Sequence, residues 1–177
     1  VVGGTVATIN VSGACTENIT VVRGKTIYLV GSNGTSLTPL NVTSPAIDVR
    51  GDLTVQGFDI SNTTGSAEEL VMAQTGSITI IGSSLAGSNV GTVFGIYHNS
   101  FGNVWNSEIA AGTGSAVESW GGGVIRVGGN PDVAAGPNGY ATNLSTTTGF
   151  AAVGCAPGGS IYTRVSANAN GTGSISI

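Results

Sequence analysis

The chain has 177 residues, 30 of them Gly, and only 8% are charged, for a formal net charge of −4. Five Lys and Arg residues are too few for nucleic acid or an anionic membrane surface, because phosphate binding needs clustered cations. No apolar run approaches the ~20 residues of a membrane span, and the regular apolar periodicity and β-branched content exclude a disordered chain.

Val6 to Val11 alternates loosely, and Gly13-Ala14-Cys15 interrupts it. Ile19 to Val30 is β-rich with a break at Arg23-Gly24-Lys25, and Ser32-Asn33-Gly34-Thr35 reads as a turn, since Asn-Gly tolerates positive φ. Ala46 to Ile60 reads as two short strands around Arg50-Gly51-Asp52. The same unit returns around Thr75-Gly76-Ser77, Phe101-Gly102-Asn103 and Gly121-Gly122-Gly123. The only helix candidate is Ser66 to Met72, around Glu68-Glu69, and it is too short to stand alone. Beyond residue 130, Asn130-Pro131, Gly136-Pro137-Asn138-Gly139 and Ala156-Pro157-Gly158-Gly159 punctuate a loop-rich tail, with strands expected over Ser160 to Val165 and Ser174 to Ile177.

The strands carry a repeat: apolar, any residue, Gly or Asn, two residues, apolar. Copies start at Val55, Ile80 and Val104 and end at Ile60, Leu85 and Ile109. Leu29-Val30-Gly31 opens the same way, and Val127-Gly128 is a weaker copy. The turn residues Gly31, Gly57, Gly82 and Asn106 recur at a period in the mid-twenties, which marks a solenoid. Stacking such coils at about 4.8 Å puts Val55, Ile80 and Val104 in one inward column and Ile60, Leu85 and Ile109 in a second, with the Gly and Asn positions at a corner.

These repeats, with the opening Cys15-Thr16-Glu17-Asn18-Ile19-Thr20-Val21, resemble the right-handed parallel β-helix proteins of the pectin-lyase-like superfold. Within that group the chain is similar to exported bacterial parallel β-helix repeat proteins. The resemblance covers roughly residues 5–129. It implies an all-β, right-handed parallel β-helix of about five coils over residues 1–129, with an irregular, loop-rich C-terminal segment, 130–177, packing on or capping the solenoid. For function it implies a range only, because this superfold hosts polysaccharide lyases, hydrolases, phage tailspikes and adhesins.

Catalysis on such a scaffold calls for convergent carboxylates. Asp59 and Glu108 share a repeat position two coils apart, roughly 9–10 Å by stacking geometry, with Ser84 between them. That spacing suits an inverting pair, and the competing reading is two outward residues on a solvated face, which is favoured. The superfold's lyases use an Arg or Lys base beside a carboxylate-bound calcium. No Asp triplet accompanies Arg23, Lys25, Arg50, Arg126 or Arg164, so no lyase site carries over, and neither a metal nor another cofactor is expected. Tyr97, His98, Trp105 and Trp120 fall in the aromatic stretch and are the glycan-binding candidates, against packing under the tail or at a subunit contact. Arg50-Gly51-Asp52 spells an integrin-type tripeptide, but its place on the repeat's glycine turn explains it. Thr54 and Thr79 align, and Trp105 is expected to break that column.

Cys15 and Cys155 lie in the first coil and the tail. A disulfide needs Cα atoms within about 7 Å. A bond inside one chain therefore requires the tail to fold back; the alternatives are a bond between stacked molecules or two unpaired thiols. The Val1 start fits either a removed signal peptide or a fragment; seven Asn-x-Ser/Thr sequons, at Asn10, Asn18, Asn33, Asn41, Asn62, Asn143 and Asn170, and the near absence of Lys favour removal and an exported mature chain, extracellular or at the cell surface. Uncovered end coils expose strand edges and invite association. The function expected is a non-catalytic structural subunit of a surface, filament or adhesin assembly, whose partners are copies of itself, stacked head-to-tail or laterally. The alternative is a domain that binds or degrades a surface polysaccharide, in the manner of a phage tailspike.

Overall fold

The computed structural model describes residues 4–147, 153–155, 159–163 and 167–170, with side chains for 4–147 and 159–162. The first coil consists of β1 (Thr5–Val11), β2 (Ala14–Thr16) and β3 (Ile19–Val21). The second is β4 (Lys25–Gly31), β5 (Ser36–Thr38) and β6 (Ile47–Val49); the third is β7 (Asp52–Gln56), β8 (Asp59–Asn62) and β9 (Glu69–Ala73). The fourth is β10 (Ser77–Ile81), β11 (Ser84–Gly87) and β12 (Thr92–Ile96), and the fifth is β13 (Phe101–Trp105), β14 (Glu108–Ala111) and β15 (Ser115–Ser119). Then follow β16 (Val124–Gly128), β17 (Thr142–Thr146), β18 (Val153–Cys155), β19 (Ser160–Thr163) and β20 (Ala167–Asn170).

Every third strand pairs in parallel. Sheet A runs β1-β4-β7-β10-β13-β16-β19, sheet B runs β2-β5-β8-β11-β14-β17-β20, and sheet C runs β3-β6-β9-β12-β15-β18. The chain is thus a parallel β-helix, with β16–β20 extending the ladders of the first five coils. The strand expected over Ser174 to Ile177 lies outside the described residues.

The two inward columns foreseen from the repeat are present. Ile9, Leu29, Val55, Ile80, Val104 and Val127 stack in sheet A. Cys15, Leu37, Ile60, Leu85, Ile109 and Leu144 stack in sheet B. A third column, Ile19, Ile47, Val71, Phe94 and Val117, closes the triangular core from sheet C. From Leu29 upward these columns are almost wholly buried, and each Leu or Ile there contributes about 1.5–3 kcal/mol relative to an exposed side chain. Gly102 makes room for Phe94: a Cβ at Gly102 would come within 2.9 Å of the Phe94 ring and 2.8 Å of Ile96.

At the corner between sheets A and B, Gly57, Gly82 and Asn106 have φ of 73°, 54° and 54°, the left-handed conformation that Gly and Asn reach most readily. Asn106 is fully buried. Its amide donates to the carbonyls of Asn130 and Ala134 at 2.8 Å each and accepts from the Asn130 N–H at 2.8 Å, which ties down the loop after β16.

Three expectations need correction. The short helix over Ser66 to Met72 does not form: β9 occupies Glu69–Ala73, clamped between β6 and β12. Seven residues of helix gain too little to compete with two ladders of inter-coil hydrogen bonds. The column containing Thr54 and Thr79 continues with Asn103, not Trp105, because Trp105 pairs with Ile81 two residues further along the strand. Gly128 stands opposite Trp105 rather than at the Asn106 corner.

Candidate functional site

Two places stand out, a polar groove on sheet C and the open face of the first coil.

The groove forms because sheet C places its outward residues in columns. Asp48, Met72, Gly95 and Glu118 share one register position, and Glu69 and Thr92 share another at the strand starts. Tyr97 and Trp120 follow the ends of β12 and β15 on successive coils, their N–H groups donating to the carbonyls of Ala73 and Ile96. Gly95 carries no side chain, and the Tyr97 ring lies over it, so a Cβ there would meet the ring at 2.8 Å. Glu69, Thr92, Tyr97, Glu118 and Trp120 line a cleft of about 250 Å³ that Glu68 also borders.

Tyr97 Oη donates to Glu69 Oε1 at 2.5 Å, and Thr92 Oγ1 donates to Glu118 Oε2 at 2.5 Å. Glu69 is only 7% exposed. Burial pushes its carboxyl above the usual carboxylate range, the Tyr97 hydrogen bond opposes this, and the neighbouring Glu68, Glu118 and Asp48 charges add to the rise. The Tyr97 phenol is pushed up strongly, first by burial and then by the carboxylate it donates to. Arg50, the basic side chain on this flank, is paired with Asp48 at 3.0 Å. The cleft therefore offers hydrogen-bond acceptors and an indole face that is 43% exposed in residue terms.

Among the glycan-binding candidates, the structure brings Tyr97 and Trp120 into this cleft. His98 is exposed beside it, its ring centroid 6.3 Å from that of Tyr97. His98 and Asn99 both hold left-handed backbone, φ 50° and 62°, at the level of Gly121 and Gly122 on the next coil. Trp105 lies half-buried on sheet A, away from the cleft. Glu69, Thr92 and Glu118 were missed from sequence. Their signal was available: Asp48, Met72, Gly95 and Glu118 recur with nearly the same spacing as the inward repeat.

Asp59 and Glu108 do share one outward column, each paired in register with Ser84. Two rungs separate them, about 9.6 Å. Asp59 lines a shallow hollow beside Gly57 and Pro137, and Glu108 is not among the residues lining that hollow. Among the described residues no group of three or more His, Cys, Asp or Glu side chains is placed to hold a metal. No helix among them is long and apolar enough to cross a membrane. Gly51 of the Arg50-Gly51-Asp52 tripeptide packs on the turn between β3 and β4, where a Cβ would approach the carbonyls of Val22 and Lys25 to 2.5 Å.

The first coil is the second place. Among the described residues, β1, β2 and β3 are the terminal strands of their sheets, so each has one backbone edge with no described strand beside it. Between them opens an apolar mouth of about 360 Å³, lined by Ile9, Val11, Cys15, Ile19 and Val21 with Leu29 and Leu37 of the next coil behind them. Ile9 is 46% exposed, although Leu29, one rung up in its column, is 4% exposed. Cys15 carries a free thiol there. The strand that carries Cys155, β18, lies five rungs along the stack, about 24 Å away. A bond within one chain would need the tail to fold back, and β16–β20 instead run onward along the ladders.

No family model, curated protein or solved structure matches this chain.

Proposed function

We propose that the chain is a non-catalytic, exported structural subunit that self-associates into a surface, filament or adhesin assembly. The observation that carries this is the first coil, where, among the described residues, three edge strands without a neighbour on one side surround an open apolar mouth. Unpaired edges template further pairing, and a chain with 8% charged residues supplies little repulsion against it. Export is supported by the charge-poor composition and by sequons whose Asn10, Asn33 and Asn41 are exposed, whereas Asn62 is buried and bonded to the Val42 carbonyl. Sedimentation velocity over a hundredfold range of concentration tests the reading. Species heavier than the monomer should grow with concentration, and a strict monomer at the highest soluble concentration defeats it. Antibody labelling of intact source cells tests export.

The sheet C cleft favours a second reading, binding of a surface polysaccharide. Sugars stack on exposed aromatic faces and hydrogen-bond to flanking carboxylates, and Trp120 with Glu69 and Glu118 supplies both. Titration of the intrinsic tryptophan emission with neutral and acidic oligosaccharides should give a saturable response that Trp120→Ala removes. A flat titration for every oligosaccharide sinks this reading.

A further inference from the structure

We propose that the cleft on sheet C is one end of a longer trench, and that this trench takes a linear, neutral glycan, read through its hydroxyls. This rests on the polysaccharide-binding reading above and names its substrate class.

The trench has two parts. The cleft of about 250 Å³ adjoins a second hollow of about 400 Å³, lined by Asn89, Thr113, Gly114 and Ser115. Gly91 and Glu118 border both, and Gly91 has no side chain to part them. Ser115 opens β15 and Trp120 follows its end, so the trench crosses sheet C along its strands. Five steps of ~3.3 Å make that span about 16 Å. A ring stacked on Trp120 therefore leaves Asn89 and Thr113 for rings further along the chain.

The chemistry changes along this path. At one end Trp120 offers an exposed indole, on which the apolar face of a sugar ring stacks. In the middle stand two carboxyl groups held by the protein's own hydroxyls. Glu69 Oε1 accepts from Tyr97 and Glu118 Oε2 accepts from Thr92, each at 2.5 Å. Among the described residues no donor reaches Glu69 Oε2 or Glu118 Oε1. Glu69 is 7% exposed, and an acceptor so enclosed gains from a donor that a ligand brings. At the far end the exposed Asn89 and Thr113 present an amide and a hydroxyl, both uncharged.

Charge decides the class. Among the described residues lining the two hollows the acids are Glu68, Glu69 and Glu118, and none is Lys, Arg or His. Arg50 on the same flank is engaged by Asp48. A uronate or sulfate group on the ligand would meet like charge with no cation to pair with, which costs affinity. A sugar hydroxyl donates to the same carboxylates without that cost.

The experiment is calorimetric titration at neutral pH with neutral gluco-, manno- and galacto-oligosaccharides of increasing length, and with oligogalacturonates matched in length. The trench predicts that one neutral series binds at least tenfold more tightly than the uronate oligomers of equal length, with affinity growing from the disaccharide to longer oligomers. Asn89→Ala combined with Thr113→Val should weaken the longer oligomer at least threefold and leave the disaccharide unchanged. Uronate oligomers that bind as tightly as every neutral one overturn the inference and leave glycan binding standing. Equal affinity for the disaccharide and the longer oligomers also overturns it, by confining the contact to the Trp120 end. Silence from every oligomer, neutral and acidic, removes both the inference and the reading beneath it. Should the double variant lose its native circular dichroism spectrum, the neutral and acidic series on the parent chain decide alone.

Discussion

Ser107 lies directly beyond Ser83 at the corner between sheets A and B, and its hydroxyl joins the two coils. Ser107 Oγ accepts from the Ser83 N–H at 3.2 Å and donates to the Trp105 carbonyl at 2.7 Å. The arrangement repeats along the stack. Ser83 Oγ accepts from the Phe58 N–H at 3.2 Å, and Thr142 Oγ1 accepts from the Ser107 N–H at 3.1 Å. Ser83, Ser107 and Thr142 are all buried. A strand that turns a corner leaves its next N–H without a rung partner, and a buried N–H needs one. Here the following coil's hydroxyl fills that role.

Ser107→Ala therefore strands the Ser83 N–H in the interior. The expected loss is about 1–3 kcal/mol, read as a lower urea midpoint. Ser84→Ala, one position on and on the outer face, should stay within about 0.5 kcal/mol. Equal effects at both sites would show that the hydroxyl ladder carries no stability.

Asn106 combines a left-handed backbone with an amide that holds the loop after β16. Asn106→Gly keeps the backbone accessible and loses only the side-chain bonds. Asn106→Ala loses both, and should be less stable than Asn106→Gly by about 1–2 kcal/mol. In both variants, limited proteolysis should cut residues 131–140 faster than in the parent chain. An order of stability with Ala above Gly would contradict the corner geometry.

Glu69 gives the chain a pH dependence with a definite sign. Its carboxyl is raised above the ordinary value of 4.5 by burial, so the folded state binds this proton more tightly than the unfolded state does. Glu69 therefore contributes stability that is fully present below pH 4.5 and is lost as pH rises through its folded value. Glu69→Gln keeps an acceptor for Tyr97 and removes the titration. Thermal melts from pH 3.5 to 8 should show the variant gaining on the parent chain as pH rises. A constant difference across that range would mean that the carboxyl is not perturbed.

Much of the fold was legible because burial in a solenoid is periodic. The columns through Val55, Ile80 and Val104 and through Ile60, Leu85 and Ile109 follow from spacing alone, as do the corner Gly and Asn positions. The hydroxyl ladder was not legible, since Ser83 faces inward and Ser84 outward although the two are chemically identical. Glu69 fell in the one helix candidate, and only the neighbouring β6 and β12 decide for strand. The cleft was half legible. Tyr97 and Trp120 were singled out for their aromatic faces, whereas Glu69 and Glu118 become its acceptors only once the outward columns of sheet C are stacked. Trp105 shares their chemistry but sits on another sheet, which residue type cannot reveal.

The central claim is that the chain self-associates, and electron cryomicroscopy of the concentrated protein tests it most directly. The account predicts particles larger than one solenoid whose share grows with concentration. Isolated particles one solenoid long at every concentration would contradict it.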